Sequence, residues 1–160
     1  LLKHSYYRDA PFIFPEGTNG FRDQIVIDLG AGRMTDGYLF ARDLGASAYI
    51  AVEFCFTPML VRNLSELSSQ ERSIPCAVIY DSIEQVLPAI PKRSVSFICA
   101  GIDDTFAGFG AVQASISQHL PSALHPQGAF FLYTPVKDSF ILPGLRTVES
   151  QLTSMSVWAY

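Results

Sequence analysis

The chain has 160 residues, with 15 acidic against 11 basic side chains for a formal net charge of −4, and 49% of it is apolar. That length and composition suit one folded domain with a sizeable core, and they exclude a disordered or low-complexity chain. Lys92-Arg93 is the only basic pair and no apolar run approaches the roughly 20 residues that span a bilayer, so neither a nucleic acid nor a membrane is expected as a partner.

Residues 1–24 carry aromatics, prolines and glycines with no helical or strand period. They read as an ordered arm, in which Tyr6, Tyr7 and Phe12 pack beneath the chain or, alternatively, form a lid over a ligand. The opening LLKHSYYRDA has no long apolar segment and no small-residue cleavage site, so a cytoplasmic protein is expected.

From residue 25 a rhythm begins. The run 25–29 (IVIDL) suits a strand buried on both faces. Residues 36–44 place Tyr38, Leu39, Ala41 and Leu44 on one helical stripe, with Gly45 as the C-terminal cap. A second strand is expected over 48–54. Thr57-Pro58 then supplies an N-cap and a proline at the first helical position, opening a helix with Leu60, Leu64 and Leu67 on one side. Residues 76–80 (CAVIY) form a third strand, and Ser82-Ile83-Glu84-Gln85 has the form of a capping box for a short helix ending at Pro88 or Pro91. A fourth strand follows at 95–100, a helix at about 111–120, a fifth strand at 129–133, and a last strand within MSVWAY.

Strands alternating with helices of about ten residues predict a mostly parallel sheet with helices on both faces, a Rossmann-like three-layer α/β sandwich. Right-handed crossovers then gather the carboxyl ends of the strands at one crevice, where such sheets bind ligands. The residues just past the strands are Asp28 to Gly32, Glu53, Asp81-Ser82, and Gly101 to Asp104. Gly30 and Gly32 let backbone approach a ligand closely, and the next helix turns its free N–H groups toward it. Glu53, 21 residues after Gly32, is placed to accept hydrogen bonds from a ribose diol and to repel a 2′-phosphate. Asp81 with Ser82 could meet an adenine amino group, although either residue could equally cap the next helix.

Two nucleotide motifs fit poorly. Gly30-x-Gly32-x-x-Thr35 lacks the third glycine of a nicotinamide fingerprint, and Asp28 would repel a diphosphate. No G-K-[ST] is present for a P-loop. Cys55, Cys76 and Cys99 have no metal-ligand spacing and read as buried thiols in a reducing compartment; His4, His119 and His125 are scattered, and no metal site is expected.

The run 26-VIDLGAG-32, the acid in 50-IAVE-53, Asp81-Ser82 after the third strand and 126-PQGAFFL-132 together resemble the class I S-adenosylmethionine-dependent methyltransferases, over residues 25–134. The resemblance implies S-adenosylmethionine as cofactor and S-adenosylhomocysteine as product. It implies that the glycine loop of Gly30 and Gly32 lies against the methionine part, with Asp28 holding its amino group, Glu53 the ribose and Asp81 the adenine; Ser82 and Gly101 join them by position. The chain departs from the family at Met34, where a third glycine is common, and at Ser94-Val95-Ser96, where an aspartate is common. No N/D-P-P-Y segment follows the fourth strand, which argues against methylation of a DNA base.

The expected organisation is a single domain: an arm over 1–24, a cofactor-binding core over 25–134 and an abbreviated C-terminal segment over 135–160. The expected function is methyl transfer to a small-molecule or protein acceptor, with a homo-oligomer allowed; the alternative is a non-catalytic methyltransferase-like scaffold whose pocket is filled by Met34, Phe106 or Phe109. No triad is visible. Asp103 and Asp104 are the candidates for a base, against a helix N-cap as their plainer role.

Overall fold

The computed structural model describes residues 14–102, 104–134, 139–149 and 155–160. Tyr6, Tyr7, Phe12 and Asp103 therefore lie outside the described residues. In chain order the elements are β1 (Ile25–Leu29), α1 (Thr35–Asp43), β2 (Ala48–Val52), α2 (Pro58–Ser68), β3 (Cys76–Ile79), α3 (Ile83–Val86, continued by a 3-10 turn), β4 (Ser96–Ala100), α4 (Phe109–Ala123), β5 (Phe130–Tyr133), β6 (Arg146–Glu149) and β7 (Met155–Ala159).

The strands form one sheet in the order β3-β2-β1-β4-β5-β7-β6. The pairs β3·β2, β2·β1, β1·β4 and β4·β5 are parallel, whereas β7 runs antiparallel to both β5 and β6. The sheet is thus mixed, mostly parallel with an antiparallel edge. Side-chain alternation divides the core in two. Val26, Ile98 and Phe131 join Leu39 of α1 and Leu60 of α2 in one apolar cluster, while Ile27, Phe97 and Leu132 join Val86 of α3 and Ile116 of α4 in the other. A strand buried on both sides reads as a continuous apolar run, and IVIDL and SFICA do.

Local chemistry sets the helix ends. Thr57 Oγ1 accepts from the Leu60 N–H at 3.3 Å and Pro58 occupies the first helical position of α2. Ser82 Oγ accepts from the Gln85 N–H and caps α3, but the reciprocal half of the expected capping box is taken by Asp81, whose Oδ1 accepts the Ser82 N–H. Gly45, at φ +84°, closes α1 with its N–H on the Arg42 carbonyl. Among residues 14–24, Phe21 is fully buried against Phe14 and Phe40, and Ser96 Oγ, which accepts from the Ala129 N–H, donates to the Gly20 carbonyl.

Several expectations need correction. β2 stops at Val52, so Glu53 and Phe54 lie beyond the strand and are released to line the crevice. α4 starts at Phe109 and runs past Pro121, which stands in the last turn, where little helix remains for it to break. Cys99 is buried and Cys76 partly so, but Cys55 is exposed, because the chain leaves the sheet at Val52. The C-terminal part is less abbreviated than expected. β6, from the sequence RTVE with charge at both ends, pairs with β7 and completes an antiparallel hairpin. Arg146 pins it, donating to the carbonyls of Tyr160 and Glu16. The described residues between β5 and β6 contain no α-helix. No helix among the described residues is long and apolar enough to cross a membrane.

Candidate functional site

At the carboxyl end of β1 the backbone is tied sideways to β2. The Gly30 and Ala31 N–H groups both donate to the Val52 carbonyl, at 2.9 and 3.1 Å. Gly30 and Gly32 have φ of +72° and +56°, the left-handed region that glycine enters without strain. A Cβ on Gly30 would come within 3.0 Å of Ile102 Cδ1, whereas one on Gly32 would meet nothing within 4 Å. The Glu53 carboxylate completes the tie. Its Oε2 accepts from the Gly32 N–H at 2.9 Å and its Oε1 from the Cys55 N–H at 3.0 Å. One side chain therefore clamps the glycine loop to the exit of β2.

Asp28 lies beneath that loop, 3% exposed. Its Oδ2 accepts a 2.5 Å hydrogen bond from the Tyr49 hydroxyl, which comes from the neighbouring strand. Burial pushes the Asp28 carboxyl up from 3.8 to about 7; the Tyr49 bond works against that rise, and the charges of Glu53 and Asp36 add to it. A Cβ on Gly37 would fall 1.9 Å from Asp28 Oδ2 and 2.8 Å from the Tyr49 oxygen, so the first turn of α1 leaves room for this pair only because residue 37 is glycine. Met34 precedes the helix in a left-handed conformation, φ +56°, with its side chain buried in the core. The position usually given to a third glycine keeps the glycine-like backbone here and adds a core side chain.

Two cavities open along the strand ends. One, of about 560 Å³, is walled by Asp28, the residues 30–34, Asp36 and Gly37. The other, of about 370 Å³, is walled by Glu53, Phe54, Asp81, Ser82 and Ile83 on one side and Ile102 and Phe106 on the other. Gly30 and Gly101 line both, so the two cavities adjoin over β1 and β4 and together make up one groove region. The Phe54 and Phe106 rings lie 5.9 Å apart at the second cavity. Asp81 is exposed and takes the Ser82 N–H at 2.8 Å, while the Ser82 hydroxyl serves the cap of α3.

The structure thus brings Asp28, Gly30, Gly32, Glu53, Asp81, Ser82 and Gly101 to one groove. Asp104 is exposed and walls neither cavity. Nor does it cap α4, whose N-cap is Gly108 without a side-chain bond. Met34 and Phe109 do not fill the groove: Met34 points into the core, and the Phe109 ring packs edge-on against Phe140. No cluster of three or more His, Cys, Asp or Glu side chains suited to a metal occurs among the described residues. Sequence reasoning missed Tyr49 and Gly37. The only trace of the pair was a tyrosine inside an otherwise aliphatic strand and a glycine inside a helix, both of which ask for a partner or a close approach.

No family model matches the sequence, and no curated protein matches it. Solved structures do. The "putative methyltransferase yhhF" of Escherichia coli is similar over 86% of this chain and 77% of its own, with 15% identity and a TM-score of 0.61. A conserved hypothetical protein of Streptococcus pyogenes is similar over 87% of each chain, with 15% identity and a TM-score of 0.60. The "putative RNA methyltransferase PH1948" of Pyrococcus horikoshii is similar over 87% of this chain and 75% of its own, with 17% identity and a TM-score of 0.54. At such identities the likeness is one of fold, and the fold is that of the class I S-adenosylmethionine-dependent methyltransferases.

Proposed function

We propose that this chain binds S-adenosylmethionine in the groove and transfers its methyl group to a small-molecule acceptor, leaving S-adenosylhomocysteine. The observation that carries the reading is the pair of adjoining cavities: they share two glycines, each is lined by acids, and each has room for part of a ligand. Volumes of about 300–1,000 Å³ are usual for such sites.

The donor set fits the cofactor's parts in turn. Asp28 offers a carboxylate to an ammonium group, and the first N–H groups of α1 favour a carboxylate. Each Glu53 oxygen already accepts one backbone N–H, which leaves lone pairs for a ribose diol. Ile83, Ile102 and Phe54 give an apolar slot for a purine, with Asp81 at its edge. A diphosphate fits worse, since its charge would face both Asp28 and Glu53.

When bound, the cofactor supplies a methyl group on a sulfonium, an electrophile that needs alignment and a dry site more than acid–base help. The chain's share of the work is to hold, orient and exclude water, which matches the polar first cavity and the apolar walls of the second, Phe54, Ile83, Ile102 and Phe106. The absence of a basic pair other than Lys92-Arg93 supports a small acceptor over a nucleic acid.

Calorimetric titration with S-adenosylmethionine and S-adenosylhomocysteine tests the reading, with NAD and Glu53→Ala as controls. Micromolar binding of both, weakened at least tenfold in Glu53→Ala and absent for NAD, is expected. Folded protein that takes up neither ligand would overturn it and leave a methyltransferase-like scaffold.

A further inference from the structure

The Asp28–Tyr49 contact is an unusual thing to build beneath a ligand loop. A carboxyl group is buried where no cation among the described residues sits within hydrogen-bond reach, and its bond comes from a phenol on the adjacent strand. Three further features keep it in place. Gly37 vacates the space that a Cβ would take from both oxygens. The Met34 carbonyl lies 3.3 Å from the Tyr49 hydroxyl, which brings the start of α1 into the same contact. The Tyr38 ring stands edge-on to Tyr49 at 5.6 Å and fixes its plane.

The charged and titratable groups around Asp28 are nearly all acidic. Glu53 faces it from the end of β2 and Asp36 from α1, and both disfavour its ionised form. Cys99 of β4 points with Leu29 to the opposite face of the sheet, and burial together with the Asp28 charge pushes that thiol up, so it stays neutral. Arg33 lines the same cavity from the loop, without a hydrogen bond to Asp28. The ligand-free carboxyl therefore sits near half-protonation at neutral pH, and among the described residues the phenol is the group that favours its anion.

We propose that Tyr49 is a positioning residue: its hydroxyl fixes the Asp28 carboxyl at the head of the groove, so that capture of a ligand's ammonium group there is coupled to release of a proton. The proposal rests on the cofactor reading above and deepens it. The balance is simple. Protonated Asp28 plus a ligand ammonium gives an Asp28 carboxylate paired with that ammonium, and the carboxylic proton leaves to solvent. The ammonium keeps its own protons, and the Tyr49 hydroxyl keeps its hydrogen and donates throughout.

Two ligands separate this from general binding. S-Adenosylhomocysteine carries the ammonium; 5′-methylthioadenosine has the same nucleoside and thioether without it. Below pH 7 the affinity of the wild-type protein for S-adenosylhomocysteine is expected to fall by up to about tenfold per pH unit and to level off above pH 8. Affinity for 5′-methylthioadenosine should stay flat. Calorimetry at pH 7 in buffers of different ionisation enthalpy should show proton release for the first ligand only. Tyr49→Phe should weaken S-adenosylhomocysteine severalfold at pH 7, recover by pH 8.5, and leave 5′-methylthioadenosine unchanged.

A ligand-free reading runs alongside. The Asp28 carboxyl carbon, identified in a carbon-13 spectrum by its loss in Asp28→Asn, should titrate at higher pH in Tyr49→Phe than in wild type. Should Tyr49→Phe fail to fold, the wild-type comparison of the two ligands still tests the proton release, and Gly37→Ala, which crowds both oxygens of the contact, tests the positioning by the same pH profile. Parallel pH profiles for the two ligands, or an unmoved carboxyl titration, would overturn the inference while leaving the cofactor reading intact. Failure of both ligands to bind would overturn the cofactor reading and the ammonium capture together.

Discussion

Replacing Asp28 by Asn is expected to change how stability depends on pH. The folded Asp28 carboxyl titrates at about 7 against 3.8 in its ordinary state. Between those values the folded protein keeps a proton that the unfolded chain has lost. Stability must then fall as pH rises through this window and level off above it. The gap corresponds to about 4 kcal/mol at most, taking about 1.4 kcal/mol for each pH unit. Asparagine is neutral at every pH, occupies nearly the same volume and still accepts from Tyr49, so it lacks this slope. Urea unfolding at pH 5, 6, 7 and 8 should give two curves already separating at pH 5, whose gap widens by up to about 1.4 kcal/mol per pH unit to near pH 7 and flattens by pH 8, in the direction that favours the variant. A difference that is constant with pH, or that shrinks as pH rises, would refute the reasoning, since neither follows from a buried carboxyl forced to ionise.

Gly37→Ala should drive the new Cβ into Asp28 Oδ2 and destabilise the fold by about 1–3 kcal/mol, and the loss should largely vanish in an Asp28→Ala background; equal losses in both backgrounds would rule out the steric account. Met34→Gly relieves about 1–2 kcal/mol of left-handed strain, but it removes a buried side chain worth about 1.5–3 kcal/mol, so a modest net fall in Tm is expected, and a rise would show that strain dominates. Ser96→Ala removes an acceptor from the Ala129 N–H and a donor from the Gly20 carbonyl, both buried, and should cost about 1–3 kcal/mol with faster amide exchange at Ala129.

The fold was legible where period and punctuation agree. β1, α1, α2 and β4 are announced by apolar runs or a stripe and bounded by Gly45, Thr57-Pro58 and the glycines of the loop, so their ends shift by a residue or two at most. β6 was not legible: RTVE is four residues long, and its place in the sheet is set by β7, a long-range contact that no local pattern records. The groove was legible as a set of positions, because strand ends in a parallel sheet converge by topology. What those residues do to one another was not. That Glu53 would clamp Gly32, or that Tyr49 would reach Asp28 across the strand pair, depends on register: Ile27 stands opposite Ile50 and Asp28 opposite Ala51, and a shift of one residue would turn Tyr49 to the other face. Asp104 failed for a related reason. An acid before a helix suggests a cap, yet the N-cap lies four residues later, at Gly108.

The position of β7 bears on the order in which the chain can assemble. It lies between β5 and β6, although it is made after both. While residues 155–159 are still being synthesised, β6 has no partner and the flank of β5 is bare. The nascent protein therefore carries an open hydrogen-bonding edge beside Phe130, Phe131 and Leu132 until nearly the last described strand emerges. Such an edge invites pairing with another chain. Losing β7 would strand β6 as well, so removal of residues 155–159 should behave as the loss of two strands.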